Sequence, residues 1–544
     1  MEIKRIDSIN ETEMMAVCRR ADIKGSRLYL SAACQEMDKD WKGFAVSYNY
    51  KIIEDREIYF IKADDIKREA GDIVISAVVD LNSFPFKSTN WSIYSVYEEA
   101  GELFSVRIQY KAVNQSTLKF IFSKDAYVDN KKNIVFCCKT GGAYLGLRYR
   151  ALSRYDGWFT RLKEAIAYTK FMTHEAQFKS RRVYLIYEKR CQKAQDNGYH
   201  LFKYMMDNHI DKYLNVEIYY VIEKDSIDRK KLENYKDNVL DFMSLKFIYA
   251  LLAANLLISP DSRAHAYIWQ YNKSLVATLL PKKNHMFLGH GVLAFKRLND
   301  SFTARSMKSV LCTVTSEKEA DIVCNELGFS RDRIATTGYA RFDVLHDTSG
   351  DSKNILIMPT HRSWVFGIER RVFVESEYYK RYMELINSDE FISMLQKNDA
   401  KAYFYVHPSI MEQTDAFTSV SDRIEVVPYG KYSLDDLMMQ CKMLITDYSS
   451  IAWDMYYMGK PIVFYQYDVD RYMETWGSYV DLTKDMPGDR VADLDSLIEV
   501  TEQYIADGFK LKPEFEKVRK DSFAYIDSNN CKRICEELKK RNYF

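Results

Sequence analysis

His290, His407 and the pair Ser449–Ser450 have the settings best suited to chemistry on a phosphorylated ligand. His290 lies in LGHGVLAFKR between Gly289 and Gly291, which leave room for a ligand to approach the backbone. His407 closes the apolar run KAYFYV and precedes Pro408 and Ser409. KMLITD runs into Tyr448, Ser449 and Ser450 ahead of IAWDMYYMG, a helical pattern. An imidazole is neutral near pH 7 and can take a proton from a hydroxyl. Serine hydroxyls and free N–H groups at a helix start can hold a phosphate or diphosphate. The plainer alternatives are serines that only cap a helix and histidines that only bond neighbouring loops. Two further strand ends carry guanidinium groups: Arg341 and Asp343 follow Gly338 in TTGYARFDVL, and Arg362 follows Thr360 and His361 in PTHRSW. A guanidinium offers forked, permanently charged donors to diphosphate oxygens, and equally well an ion pair to a carboxylate.

These residues need elements that deliver them to one edge. After Arg182 apolar strands alternate with helices, through RVYLIYE (182–188), VEIYYVIE (216–223), NLLISPD (255–261) and HMFLGHG (285–291). A second series runs NILIMPT (354–360), KAYFYVHP (401–408), RIEVVP (423–428), KMLITDYSS (442–450) and KPIVFYQYD (460–468). The alternation predicts two tandem Rossmann-like α/β halves, residues 182–348 and 349–544, the second ending in helices. The apolar run from Phe247 to Ile258 fits a buried helix and then a strand. Ligands of such sheets bind at the carboxyl ends of strands, so a cleft between the halves sets His290 and His407 on facing walls.

Ahead of residue 149 the pattern differs. Short β-branched and aromatic segments at 71–82, 90–99, 103–113, 117–124 and 133–140 predict an antiparallel β-domain within residues 1–148, of sandwich type. Residues 149–181 predict a basic amphipathic helical linker. From Arg148 to Arg182 nine Lys and Arg stand against three Asp and Glu, which suits an anionic membrane surface or a solvated helix between domains.

Over all 544 residues, 78 Lys and Arg balance 77 Asp and Glu, so there is no bulk basic field for nucleic acid. Apart from Cys137–Cys138 and Cys531/Cys535, no two of the ten cysteines are close, which argues against a metal knuckle or a disulfide lattice and for a reduced, cytoplasmic compartment. The N-terminal residues lack the apolar core of a signal peptide or anchor, and no stretch reaches the roughly 18 apolar residues of a membrane span. GxxxxGK[ST] and GxGxxG are both absent, against a P-loop NTPase or a dinucleotide-dependent dehydrogenase.

Taken together, DDLMMQCKMLITDYSSIAWDMYYMGKPIVFYQYD (435–468), YVHPS (405–409), PTHRSW (359–364), TTGYARFDVL (336–345) and GHGVLAFKR (289–297) resemble the CDP-glycerol glycerophosphotransferase family of teichoic acid polymerases and primases, over roughly residues 182–530. The resemblance implies a GT-B fold with an acceptor-side half, a donor-side half and the active site between them. It implies transfer of glycerol phosphate, or ribitol phosphate, from CDP-glycerol or CDP-ribitol to a hydroxyl of a lipid-linked glycan or polyol-phosphate acceptor. CMP is released, no cofactor or metal is called for, and the setting is the cytoplasm or the inner face of the membrane.

By motif, His290 is the expected general base and His407, in the HPS segment, the second catalytic residue, stabilising charge on the diphosphate, while Ser409 of the same segment binds the donor. Ser449 and Ser450 hold the donor diphosphate, with Thr446, Asp447, Thr360, Arg362, Arg341 and Asp343 on the donor side; Gly289, Gly291 and Lys296 face the acceptor. Val292-Leu293 replaces the usual Thr-Pro after His-Gly, and His361 stands at the aromatic position after Pro-Thr. Two other readings stay open: a GT-B glycosyltransferase using a nucleotide sugar, and a non-catalytic glycan-binding scaffold. The oligomeric state is left unassigned.

Overall fold

The computed structural model describes residues 3–35, 38–48, 57–69, 71–86, 89–110, 125–140, 144–268, 274–298, 302–366, 368–428 and 430–543. The expected strand at 117–124 lies outside the described residues.

The N-terminal part is a single sheet of twelve described strands, from Ile3–Ile6 to Tyr144–Ala151. Its pairings are antiparallel except that Asn10–Lys24 runs parallel to Glu102–Gln109. The sandwich expectation is therefore corrected to one hydrogen-bonded sheet curled on itself. Strands Asp40–Tyr48 and Asp72–Asp80, far apart in the strand order, touch across its interior. Alternation explains the curl: Asp72–Asp80 buries every second side chain, and Ile73, Ile75, Ala77 and Val79 join Phe44, Trp91 and Leu147 in one core.

Both α/β halves are present as all-parallel sheets. In the first, the spatial order is Val239–Asp241, Glu217–Ile222, Val183–Ile186, Ala254–Ser259, Asn284–Phe287, Leu311–Val314, Ile334–Thr336. In the second it is Ile424–Val426, Lys401–Phe404, Asn354–Ile357, Met443–Thr446, Ile462–Tyr465, Asp489–Val491. Each sheet grows outwards from its first strand and reverses between its first and fourth, which puts the ligand crevice at the loops after those two strands. The apolar run near 250 divides as expected into helix Leu245–Ala253 and strand Ala254–Ser259, and Ser244 caps the helix by accepting from the Phe247 N–H.

The halves are stitched together. Val292, Ala294 and Phe295 leave the first half and enter a core built mainly by the second, with Phe295 stacked on Trp453 at 5.4 Å. The last helix, Asn530–Arg541, crosses back: Cys531, Ile534, Cys535 and Leu538 are buried in the first half's core. Among the described residues no helix is long and apolar enough to cross a membrane.

In the basic segment, strand Tyr144–Ala151 runs past the expected boundary, and helices follow at Trp158–Thr173 and Glu175–Ser180. The first helix buries Thr160, Glu164, Ala165 and Ala167, and leaves Trp158, Phe159, Ile166 and Met172 about half exposed or more (62%, 58%, 46% and 54%). Glu164 pins it down by accepting from the Ser274 hydroxyl and from the Val276 N–H at 2.7 Å.

Burial pushes the Glu164 carboxyl up from 4.5 to about 7 against those hydrogen bonds. A carboxyl raised in the folded state stabilises docking fully below its unfolded value and loses that contribution as pH climbs towards the folded one. Hydrogen exchange of helix Trp158–Thr173, corrected for intrinsic rate, should show local opening rising by up to about tenfold per pH unit between about pH 4.5 and 7. Glu164→Gln should flatten the profile, and a flat wild-type profile would count against the clamp.

Candidate active site

The loop after strand Asn284–Phe287 carries His290. Gly289 adopts a left-handed φ of +68°, and a Cβ there would stand 2.5 Å from the Tyr339 ring. A Cβ on Gly291 would stand 2.6 Å from Ser450 Oγ, so this glycine lets the first half's histidine loop lie directly on the second half's serine loop. His290 is 55% exposed, and its Nδ1 lies 2.7 Å from Asp196 Oδ2.

Asp196 precedes helix Asn197–Asp207 and is buried. Burial acts to raise its carboxyl, but His290, Lys189 and Arg341 outweigh it and hold Asp196 well below the usual carboxylate range. An ionised Asp196 takes the Nδ1–H and fixes the tautomer that leaves Nε2 as the acceptor. The loop bearing it is itself held: Glu188 accepts from the N–H groups of Gln195, Asp196 and Tyr199. Burial and then the Asp196 charge push Glu188 up to about 8.

On the second half, the crevice is formed by the loops after Asn354–Ile357 and Met443–Thr446. His407 and His361 lie ring to ring, with centroids 4.5 Å apart. The Ser409 N–H donates to His407 Nδ1 at 3.1 Å, which puts the His407 proton on Nε2. Burial, then His361, Lys296, Lys189 and His290, push His407 down to about 3. Burial, Lys296 and Arg362 push His361 down to about 4. Both rings are therefore neutral at pH 7, and the first half's Lys189, Lys296 and His290 lie within electrostatic reach of His407. Thr360 Oγ1 and His361 Nδ1 are buried and meet no partner among the described residues. Ser449 is buried, and Ser450 starts helix Ile451–Tyr457 without a capping bond from its side chain. Lys296, assigned from sequence to the acceptor side, reaches across to the Trp476 face at 3.3 Å, on the second half.

Five residues given to the donor from sequence have other engagements. Arg362 is fully buried, with Asp468 gripping Nε and Nη2 at 2.8 and 3.0 Å and Asp447 at 2.8 Å. Asp447 also accepts from the Thr360 and Tyr448 N–H groups, at 2.8 and 2.6 Å. The Thr446 hydroxyl donates to the Met358 carbonyl at 2.7 Å. This ion-pair knot ties the crevice loops together from beneath and is closed to a ligand. Asp343 accepts from the Asn530 and Cys531 N–H groups and so caps the returning C-terminal helix.

Arg341 is a strut between the halves. Its Nε and Nη2 hold Asp454 of the second half at 2.6 and 3.0 Å, and its Nη1 holds Asp196 at 3.2 Å and the His290 carbonyl at 3.1 Å. Sequence reasoning missed Asp196 and Asp454. Asp196 had a visible signal, an Asp before Asn-Gly at a helix start after the first strand. Asp454 is a lone acid in the buried helix IAWDMYY.

Two doubly wound halves joined edge to edge make a GT-B-like architecture. The chain belongs to the CDP-glycerol:poly(glycerophosphate) glycerophosphotransferase family, whose sequence model matches residues 168–540. It is 29% identical over 388 residues to the minor teichoic acid biosynthesis protein GgaB of Bacillus subtilis (strain 168), covering 69% of this chain and 41% of that protein. It is 24% identical over 379 residues to the teichoic acid ribitol-phosphate polymerase TarL of Staphylococcus aureus (strain NCTC 8325 / PS 47), covering 63% of this chain and 59% of that one. The chain thus spans less than two thirds of the length of these curated relatives. A solved structure of the wall teichoic acid polymerase TagF shares the fold, with a TM-score of 0.50 at 15% identity over 70% of this chain and 97% of that one.

Arg341→Ala would leave the buried Asp454 without its cation and take one of Asp196's partners away, so it should destabilise the protein by about 3–5 kcal/mol. An unchanged midpoint in urea unfolding of the variant would contradict the strut.

Proposed function

We propose that the protein transfers glycerol phosphate or ribitol phosphate from a CDP-activated donor to a hydroxyl of a polyol-phosphate or lipid-linked acceptor, releasing CMP. His290 carries this reading. It is an exposed imidazole oriented by an ionised buried carboxylate, set at the junction with a donor-side crevice of neutral histidines and unpartnered polar atoms. Family membership and the ribitol-phosphate polymerase among its relatives support the same class of reaction.

The acceptor hydroxyl gives its proton to His290 Nε2 while its oxygen attacks the alditol-bearing phosphorus. The bond from that phosphorus to the bridging oxygen breaks, and CMP leaves with the oxygen. Little covalent chemistry is asked of the protein; position and charge do the rest. The His407 Nε2–H offers a hydrogen bond to a phosphate oxygen without adding a cation, and Ser449, Ser450 and the Thr360 hydroxyl lie along the same crevice. The Lys296 ammonium supplies positive charge where the diphosphate carries its negative charge.

Helix Trp158–Thr173 faces an anionic membrane in this reading. Trp158, Phe159, Ile166 and Met172 point outwards on a helix that also carries Lys163 and Lys170, the combination that seats a helix in a lipid interface.

With CDP-glycerol, CDP-ribitol and UDP-sugars offered alongside acceptors, CMP should be the nucleotide released; release of UDP would favour sugar transfer. His290→Ala should lower kcat by about 100-fold or more, and near-normal turnover would sink the base assignment. Asp196→Asn should lower kcat by about tenfold or more, because it loosens both the orientation of His290 and the Arg341 contact between the halves. Vesicles with anionic lipid should retain the protein better than neutral vesicles at low salt, and Trp158→Ser/Phe159→Ser should weaken that retention. Equal retention on both vesicle types would remove the membrane face.

A further inference from the structure

The loop after strand Ala254–Ser259 borders the first half's crevice, and its carboxylate, Asp261, takes no part in the proton transfer. Strand order and register fix where it stands. The strand lies between Val183–Ile186, whose loop leads to Asp196, and Asn284–Phe287, whose loop carries His290. Ser259 pairs with Phe287, and the ladder runs one step further, where the Leu288 N–H donates to the Ser259 carbonyl at 2.9 Å. Asp261 and Gly289 therefore follow neighbouring parallel strands, each two residues beyond that last pair, with His290 next in the chain. On its other side the loop is bonded to the one after Val183–Ile186. The Arg190 N–H donates to Asp261 Oδ2 at 3.3 Å, and the Cys191 thiol donates to the His265 carbonyl at 3.7 Å. Lys189 of that same loop lies 3.4 Å from Asp196, the carboxylate that holds His290.

The acids at this edge differ in what they have left to bond. Glu188 already accepts from three N–H groups. Asp196 meets His290, Arg341, Lys189 and the Asn197 N–H, and its side chain is 6% exposed. Asp261 is 18% exposed, and both of its partners, the Arg190 N–H and, at 3.6 Å, His265 Nδ1, face Oδ2. Oδ1 accepts from no group among the described residues and is not closed off from solvent. Burial acts to raise this carboxyl, but His265 and then His290 outweigh it and hold it below the usual carboxylate range. An ionised carboxylate can only accept hydrogen bonds. Its charge repels a phosphate oxygen, and Lys189 and Arg190 in the adjoining loop disfavour a cationic ligand, which leaves a neutral hydroxyl as the group that Oδ1 suits. Neighbouring strands lie about 4.8 Å apart. Hydroxyls on adjacent carbons, each extended by a hydrogen bond of about 2.8 Å, span a gap of that order.

We propose that Asp261 determines acceptor specificity: Oδ1 accepts from a second acceptor hydroxyl, on the carbon next to the one whose hydroxyl gives its proton to His290, so that a terminus with two adjacent hydroxyls is chosen over one with a lone hydroxyl. The inference rests on the transferase reading and names the group that places its acceptor.

The test uses the full chain and fluorescent primers of one length that end in glycerol or in either of its monodeoxy analogues, one of which keeps the hydroxyl that is attacked. Rates of first addition and equilibrium binding are measured for the wild type, Asp261→Ala and Asp261→Asn. Wild-type kcat/KM for the glycerol terminus should exceed that for the reactive deoxy terminus by about 10–100-fold, the scale of a hydrogen bond to a charged group. Asp261→Ala should remove the preference, costing the glycerol terminus about tenfold or more beyond any loss on the deoxy terminus. Asp261→Asn keeps an acceptor for the Arg190 N–H, so it should lose part of the preference while its urea midpoint stays close to that of the wild type. Equal wild-type rates on the two reactive termini overturn the inference. An equal loss on both in Asp261→Ala also overturns it, because the carboxylate would then only prop the loop. Release of CMP without the preference rejects the subsite and leaves the transferase reading standing. An Asp261-dependent preference in binding, without transfer from any CDP-alditol, upholds the subsite and rejects the transferase reading.

Discussion

One buried guanidinium, Arg341, sets the relation between the two halves. It is enclosed and held by carboxylates from both, Asp454 on one side and Asp196 on the other. Burial opposes its charge, but the two acids more than restore it. A buried pair of this kind adds little net stability compared with apolar packing, yet it is highly directional, because every lost contact strands a charge. The direction is what the site needs. The same Asp196 that faces Arg341 also holds His290 Nδ1, so the fit between the halves and the aim of the proposed base are fixed by one carboxylate.

A second knot lies under the donor crevice and works in the same way. Arg362 between Asp447 and Asp468 ties the loops after the first, fourth and fifth strands of the second sheet, with Tyr448 bonding to Asp468 at 3.1 Å. Above it the crevice is lined by neutral groups, His407 and His361, rather than by cations. In the proposed reaction, charge complementary to a diphosphate would come from Lys296, which belongs to the first half and leans on Trp476 of the second. The site is therefore incomplete in either half alone, consistent with the apolar seam of Phe295 on Trp453 and Phe342 on Tyr457 that keeps the halves together.

The parallel halves were legible in the sequence because their strands are fully buried and read as continuous apolar runs, with His290, His407 and Ser449 at the ends. Strand Asn10–Lys24 was not: it fully buries only Ala16 and Ile23, so no apolar alternation marks it. The roles of the charged residues were hidden for a different reason. A guanidinium at a strand end looks the same whether it awaits a ligand or meets an acid that the fold delivers from 106 residues away, as Asp468 is delivered to Arg362. Asp196 and His290 are 94 residues apart and Arg341 and Asp454 are 113 apart, distances at which spacing says nothing and only the topology decides.

The central claim is that the two halves align a base and a diphosphate for one direct displacement at phosphorus, with His290 moving a proton and forming no bond to phosphorus. The most direct measurement is the stereochemical course of transfer from a CDP-alditol made chiral with sulfur and heavy oxygen at the alditol-bearing phosphorus. A single displacement predicts inversion of configuration in the phosphodiester product. Retention would mean two displacements through a phosphorylated protein, and would contradict the account.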